Sequence, residues 1–298
     1  KQKTAYEIYQ CDWSSDVCSS DLSKQPTVLR SGNGTVQVNI QTPNAKGLSH
    51  NTYQQFDVGA DGVILNNSRV NALTQQSGWV QANPWLAKGS AKVILNEVNS
   101  SNPSHLKGFV EVAGQRAEVI VANPSGISVN GATFINADNV KLTTGTPVVN
   151  ADKLEGFRVS SGSILIEGQG LDTRTSDYTA LLSRALQVNA GIWANELKVV
   201  TGPHTVETQS LEPGVNTNVQ AMSPSSPAPS FALDVSQLGG MYAGKIQLIG
   251  TEAGLGVRNA GKLISSQGPL TLSQSGWLSN SGFISDRKST RLNSSHTD

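Results

Sequence analysis

Apolar residues along this chain alternate with polar ones in short runs that are broken by glycine and asparagine. In the stretch 108–145, pairs of aliphatic residues flank a single polar residue at Glu111, Ser128 and Lys141. A period of two is that of a β-strand, and each run is too short to give a helix a useful apolar face. Val119-Ile120-Val121 is apolar throughout, as expected for a strand that is buried on both sides. This stretch therefore predicts strands joined by tight corners.

Two turns between these runs can be assigned from residue type. Asn123-Pro124-Ser125-Gly126 has Asn first, Pro second and Gly fourth, which matches a type I turn. Proline fixes its own φ and biases Asn123 towards an extended backbone. Gly32-Asn33-Gly34 similarly predicts a hairpin-like turn near the start of the chain. Because such turns occur in many proteins, each one alone predicts a structural corner and no function.

An internal repeat gives the fold class. Asn259-Ala260-Gly261-Lys262-Leu263 recurs as Asn280-Ser281-Gly282-Phe283-Ile284, and Asn189-Ala190-Gly191-Ile192-Trp193 is a looser third copy. A period of roughly 20 residues predicts a solenoid, in which each coil buries its apolar face only against its neighbours. Gly and Asn suit the corners because both tolerate left-handed backbone angles, and stacked Asn side chains can bond in ladders. We therefore predict an all-β fold built as a parallel β-helix.

The secondary structure of two segments is less clear from the pattern alone. Residues 179–188 could form a short helix on propensity alone, but Leu186 and Val188 alternate with polar neighbours, which favours a strand over 185–189. The segment 203–230 is rich in Pro and Ser, a composition that predicts a surface loop or linker without a core of its own. The strand pattern resumes at Phe231.

The two ends share no periodicity with the rest. Both resemble translated sequencing-adapter read-through, so we treat 1–24 as a non-native leader and 286–298 as a non-native tail. Cys11 and Cys18, the chain's two cysteines, fall in this leader. We therefore expect neither a disulfide framework nor a zinc ribbon in the body of the chain. The alternative is that Cys11 and Cys18 form a genuine disulfide or metal-binding pair.

Charge, apolar run length and motif content each argue against one class of function. Lys and Arg number 22, equal to Asp and Glu, so no basic excess favours a nucleic-acid partner. No apolar run approaches the length of a membrane span. The segment 256–262 matches most of a phosphate-binding P-loop, but Leu263 stands where the motif needs Ser or Thr, and no helix pattern follows. We interpret it as a β-helix corner.

Catalytic groups are sparse. The sequence has no metal-spaced His and Cys cluster, and we interpret the scattered histidines, His50, His105 and His204 in the body and His296 in the tail, as loop or surface residues. A polysaccharide-cleaving β-helix enzyme is the strongest alternative, and it needs carboxylates that converge on one face. The acidic residues here are spaced singly among the strands, which we interpret as solvated positions: Glu111, Glu118, Asp138 and Asp152.

At this point the chain resembles a known family, the N-terminal secretion domain of two-partner-secretion exoproteins. These are filamentous-haemagglutinin-like adhesins and contact-dependent growth inhibition toxins. The resemblance covers nearly all of residues 27–285 and is carried by the segments 38–68, 94–98, 106–147, 182–202 and 232–261.

The resemblance implies a right-handed parallel β-helix with an N-terminal β-cap and extra-helical β elements. It places the secretion domain at 25–202, the Pro/Ser-rich loop at 203–230 and further coils at 231–285. It implies that the domain is not an enzyme and needs no cofactor or metal. The implied partners are the Sec machinery and an outer-membrane β-barrel transporter with POTRA domains, and target cells are reached through absent downstream regions. The implied location is outside the cell or on its surface, reached through the periplasm and outer membrane.

The resemblance also implies two transporter-recognition motifs. The family's N-P-N-L-like tetrapeptide resembles Asn83-Pro84-Trp85-Leu86, and its N-P-N-G-like tetrapeptide resembles Asn123-Pro124-Ser125-Gly126. Trp85 and Ser125 replace the family's inner Asn. Many growth-inhibition relatives carry a cysteine pair just after the second motif, and residues 128–132 here contain none.

Three functions stay open. The first is a secretion module of a larger adhesin or toxin, and the second is the polysaccharide-cleaving enzyme. The third is an autonomous adhesin or autotransporter passenger, which needs a translocating barrel on the same chain. For the first, unfolded strands would present unpaired backbone groups that a receiving domain could bind by adding a strand.

Overall fold

One coil of the fold consists of three strands that follow one another closely: Phe109–Gly114, Ala117–Ala122 and Ile127–Val129. The computed structural model describes residues 17–18, 24–224 and 226–287. Each strand of this coil pairs in parallel with strands of the coils on either side, so that Val110 lies between Val63 and Phe134. Parallel crossovers of this kind are right-handed in nearly all proteins. The chain is a right-handed parallel β-helix, which confirms the predicted fold class.

The strands form three faces, numbered in the order in which the chain visits them. Face one contains Val36–Asn39, Val63–Asn67, Phe109–Gly114, Ala132–Ile135, Leu171–Asp172, Lys262–Ser265 and Phe283–Ser285. Face two contains Leu48–Tyr53, Val93–Val98, Ala117–Ala122, Ala137–Thr143, Tyr178–Ser183 and Leu270–Gln274. Face three contains Ser104–Leu106, Ile127–Val129, Ser163–Ile166, Ala185–Val188, Leu233–Val235, Val257–Asn259 and Leu278–Asn280. Two long strands, Gly191–Thr201 and Gly240–Gly250, run from face one onto face two.

The repeat read from the sequence is the register of the coils. Asn259 pairs with Asn280, 21 positions later, and its Nδ2 donates to the Asn280 Oδ1 at 2.8 Å. This bond confirms the expected asparagine ladder. The third copy is out of register by one residue, because Val188, not Asn189, aligns with Asn259 through Val235.

The ambiguous segment 179–188 is extended throughout. It forms the strands Tyr178–Ser183 and Ala185–Val188, which confirms the preference for a strand over the second half. The helical propensity of the first half is overridden, since Leu181 packs inside the β-helix while Ala180 and Leu182 pack outside it.

The apolar triplet of face two shows why some strands are apolar on both sides. Val119 and Val121 point into the main core inside the β-helix, and Ile120 points out into a second apolar cluster. That cluster is covered by an antiparallel sheet, here called the flanking sheet, made of Thr146–Asn150, Lys153–Val159, His204–Glu207 and Val219–Ala221. Phe157 and Val206 of this sheet are both buried in the second cluster.

Three smaller elements complete the fold. Thr27–Arg30 caps the β-helix by pairing antiparallel to Val36–Asn39, across the turn predicted at Gly32 to Gly34. A two-stranded hairpin, Ala72–Thr74 with Gly78–Val80, packs on the outside of face one. Val17–Cys18 pairs antiparallel with Gln55–Phe56. The rest of the suspected leader, with Cys11, and nearly all of the suspected tail lie outside the described residues. The described part contains no helix with the length and apolarity of a membrane span.

The segment 203–230 corrects a prediction based on composition. Where a loop was predicted, the structure has the strands His204–Glu207 and Val219–Ala221 and a short 3-10 turn, Thr208–Leu211. Val206 and Leu211 are buried in the second apolar cluster. The prolines lie outside the strands, so they interrupt the sheet at its connections without preventing it.

The interpretation of the acidic residues as solvated is wrong for two of them. Glu111 is 4% exposed and lies under the hairpin, where its two carboxylate oxygens accept from the backbone N–H of Gln75 and Gln76 at 2.7 and 3.0 Å. Glu118 is 7% exposed and pairs with the buried Lys141 Nζ at 2.6 Å. Both carboxylates face outward from the β-helix, but extra-helical elements cover them.

The interpretation of the histidines as loop or surface residues is wrong for His204, whereas His50 and His105 are partly exposed. His50, His105 and His204 all lie in strands, and His204 is fully buried in the flanking sheet. The His204 Nδ1 is 2.7 Å from the Gly202 carbonyl oxygen, and its Nε2 has no partner among the described residues. Burial lowers the pKa of His204 from 6.5 to about 4.

His204 should make the fold sensitive to acid. Its folded pKa lies below its unfolded value, so its contribution to stability is complete above pH 6.5 and is lost as the pH falls towards about 4. A shift of this size corresponds to about 3 kcal/mol of unfolding free energy. Urea unfolding at pH 7 and pH 4 should show that loss in the wild type. His204→Asn can still donate to the Gly202 carbonyl but has no group that titrates in this range. Its unfolding free energy should therefore fall by about 3 kcal/mol less than that of the wild type between the same two pH values.

The Glu118 and Lys141 pair should behave as one unit. Lys141→Met alone should lower the unfolding free energy by about 3–5 kcal/mol, because it leaves a buried carboxylate without a partner. Adding Glu118→Leu should recover most of that loss, since two apolar side chains can replace a buried ion pair. Chemical denaturation of the two variants measures the difference, and equal stability of single and double variants would contradict it.

Candidate functional site

The two Asn-Pro tetrapeptides form corners with the same hydrogen bonds. In the first, the Asn83 carbonyl accepts from Leu86 N at 3.2 Å and the Asn83 Oδ1 accepts from Trp85 N at 3.0 Å. In the second, the Asn123 carbonyl accepts from Gly126 N at 3.1 Å and the Asn123 Oδ1 accepts from Ser125 N at 2.9 Å. Each Asn therefore closes its turn twice, with its main chain and with its side chain.

The side-chain amides of the two asparagines fasten each corner to neighbouring backbone. Asn83 Nδ2 donates to the carbonyls of Ile40 and Asn66 at 2.9 and 2.8 Å. Asn123 Nδ2 donates to the Asn102 carbonyl and the Ser104 Oγ, both at 2.9 Å. Asn83 is 3% exposed and Asn123 is fully buried. Asn meets this need because its short side chain has both an acceptor and two donors, whereas Asp at the same position has no donor when ionised.

The remaining motif residues differ in accessibility. Leu86 is 1% exposed and belongs to the main core, and Gly126 is buried with a φ of +114°, a conformation that favours glycine. Trp85 is 45% exposed, and its Nε1 donates to the Thr27 Oγ1 of the cap at 3.0 Å. Ser125 is exposed, and its Oγ donates to the Ser100 carbonyl at 2.9 Å.

The structure does not bring the two corners together. Asn83 lies between Val63–Asn67 of face one and Val93–Val98 of face two. Asn123 lies one coil further along, between face two and face three. Turn chemistry predicts the second corner from sequence, whereas the first is identified through the family resemblance. The burial of the two asparagines has no such local signal, because it depends on which carbonyls the neighbouring coils supply.

Two other groups that the sequence analysis considered, Asp138 and Arg258, form ion pairs. Asp138 pairs with Arg116 at 3.0 Å on the surface. In the segment that resembles a P-loop, Val257–Asn259 is a strand of face three, and Arg258 forms a bidentate pair with Asp234 at 2.7 Å. Within the described residues no three His, Cys, Asp or Glu side chains are grouped so as to hold a metal ion.

The fold places the chain among parallel β-helix domains with an N-terminal cap and extra-helical strands. The family profile of the TPS secretion domain matches residues 16–280, and the chain belongs to that family. The match includes the segment 203–230 and most of the later coils.

Solved and curated relatives agree with this assignment. The crystal structure of the filamentous hemagglutinin secretion domain superposes with a TM-score of 0.81 at 30% identity, covering 92% of this chain and 98% of that one. Toxin CdiA of Yersinia pestis is 50% identical over 92% of this chain, and tRNA nuclease CdiA-2 of Burkholderia pseudomallei is 45% identical over 86%. The chain spans about 8% of the length of each of these two proteins.

The corners yield a stability prediction. Asn123→Ala removes three side-chain hydrogen bonds in a buried site and should lower the unfolding free energy by about 2–4 kcal/mol. Asn83→Ala should cost a similar amount for the same reason. Ser125→Ala removes one exposed hydrogen bond and should cost less than about 1 kcal/mol. Urea unfolding followed by circular dichroism gives all three values, and a Ser125→Ala loss as large as that of Asn123→Ala would contradict the assignment.

Proposed function

We propose that this chain directs the export of a much longer exoprotein through an outer-membrane transporter, and that the two Asn-Pro corners are recognised while the chain is unfolded. The observation that carries the second part is the burial of both asparagines. In the folded domain their side chains are buried and cannot be contacted by another protein. A transporter that recognises Asn83 or Asn123 must therefore contact them before the coils close.

The fold supports the first part of the proposal. Before folding, every strand carries free N–H and C=O groups that periplasmic POTRA domains of the transporter could pair with. After passage, the backbone groups pair with neighbouring coils and the apolar side chains enter the core. Folding outside the cell would then oppose backward movement without ATP. Delivery to the periplasm in an unfolded state fits the Sec route.

The relatives favour a growth-inhibition exoprotein over an adhesin. Identity to the CdiA proteins reaches 50%, against 30% to the filamentous hemagglutinin domain. We propose that any toxin activity and any contact with target cells belong to regions downstream of this domain. The domain itself acts by binding and folding, without a reaction.

An export assay can separate recognition from folding. The chain, fused to a C-terminal reporter, is produced with and without the transporter of its own secretion system. Asn123→Ala is compared with Val121→Ala, a core truncation two residues upstream that should cost about 2–3 kcal/mol without touching the corner. We expect Asn123→Ala to lower export about tenfold and Val121→Ala less than about twofold, because a recognition contact at a cost of about 1.4 kcal/mol changes an equilibrium tenfold.

The outcomes are distinct. If Asn123→Ala and Val121→Ala have similar stability and lose export equally, the corner acts only through folding. The proposal that Asn123 is recognised would then fail. Export of the wild type in the absence of the transporter would overturn the secretion proposal itself. Trp85→Ala and Ser125→Ala test whether the accessible motif positions add to recognition.

A further inference from the structure

The hairpin on face one presents an apolar surface that the fold does not use. Its inner side, Ala72 and Val80, packs over Ile64 and Ala113 of the β-helix. On its outer side Leu73 and Trp79 pair directly across the two strands and are 67% and 73% exposed. Val70, just before the hairpin, is 69% exposed. Contiguous exposed apolar residues of this kind mark interaction surfaces.

The hairpin is held firmly in place. The buried Glu111 carboxylate accepts from Gln75 N and Gln76 N at the turn. The turn is also tied to the cap, because Asn33 Nδ2 donates to the Gln76 carbonyl at 2.7 Å and Ser77 Oγ donates to the Asn33 Oδ1 at 2.6 Å. Leu73 and Trp79 are thus presented on a rigid support and need no ordering upon binding.

The segment that contains the hairpin carries only basic charged side chains. Between Asp61 and Glu97 the chain contains no Asp or Glu, while Arg69, Lys88 and Lys92 are all present. Arg69 and Lys88 are exposed and adjacent, since the Arg69 Nη2 donates to the Ala87 carbonyl at 3.3 Å. Two carboxylates lie nearby: Glu111 is buried beneath the hairpin and accepts from two backbone N–H groups, and Asp61 lies beside the turn end. The chain as a whole is electrically balanced, so this basic bias is local.

We propose that Val70, Leu73 and Trp79, together with Arg69 and Lys88, form a docking surface for a phospholipid bilayer that carries anionic headgroups. Trp prefers the interface between headgroups and acyl chains, and nearby basic side chains are attracted to anionic lipid. A lipid surface fits better than a protein partner, because one small hairpin buries far less than the roughly 1,000 Å² of a stable protein interface. Shallow insertion of a few side chains suits a reversible membrane contact. This role is independent of transporter recognition.

Vesicle flotation with the full chain tests the proposal. Phosphatidylcholine vesicles are compared with vesicles that contain about 30 mol% phosphatidylglycerol, at salt concentrations of about 0.05 and about 0.5 M. We expect about fivefold more protein on the anionic vesicles at low salt, and a smaller difference at high salt. Leu73→Ser with Trp79→Ser should reduce binding to both vesicle types about fivefold. Arg69→Gln with Lys88→Gln should remove only the preference for anionic lipid.

Two controls test for misfolding and for non-specific adsorption to vesicles. Leu238→Ser changes a single apolar residue that is 86% exposed elsewhere on the surface, and it should leave vesicle binding unchanged. Brominated lipid should quench tryptophan emission in the wild type and less in Trp79→Phe, which keeps an apolar ring on the same folded support.

Three results would overturn the proposal. One is the absence of binding to either vesicle type, and another is equal binding by the wild type and the Leu73 and Trp79 double variant. The third is a wild-type dimer in sedimentation equilibrium that the double variant lacks, which would assign the surface to a second copy of the chain.

Discussion

A coil of three short strands cannot bury its own apolar side chains, and this limitation governs the whole structure. Val110, Val119 and Ile127 of one coil are covered only because the next coil repeats their positions in register. The backbone is under the same limitation, since each strand pairs with a neighbouring coil and not with the strand before it. Whether a corner is a tight turn or holds an extra-helical element, it must therefore return the chain to the same register.

The two buried asparagines meet that requirement at the corners. Each one closes its turn and also satisfies carbonyl or hydroxyl oxygens of adjacent backbone and side chains. One side chain therefore serves both purposes: its Oδ1 closes the corner and its Nδ2 links the corner to its neighbours. A sequence pattern that resembles a recognition motif is thus also a structural necessity in the folded domain. The recognition that we propose for it would come earlier, before the coils form.

Much of the fold could be predicted from sequence because its signals are local. The alternation around Glu111 and the 21-residue spacing of Asn259 and Asn280 each follow from a single strand or a single repeat. The flanking sheet could not be predicted, because Phe157 and Val206 meet across 49 residues and neither segment shows its partner. The same sheet buries His204, although its local sequence predicts a loop or surface residue. The motif residues could be found only through resemblance, and the burial of Asn123 depends on the carbonyl of Asn102 and the hydroxyl of Ser104, which spacing does not reveal.

The long sequence separation within the flanking sheet sets an order of events. Lys153–Val159 leaves the β-helix between face two and face three, and its partner strand His204–Glu207 follows only after two further complete coils. Lys198 joins the two layers, because its buried Nζ donates to the carbonyls of Glu212 and Val215. If the chain folds from its N-terminus, the apolar outer side of face two stays uncovered until these later residues arrive. The flanking sheet can then form only over coils that already exist. Its formation therefore requires that the preceding coils have reached their final alignment.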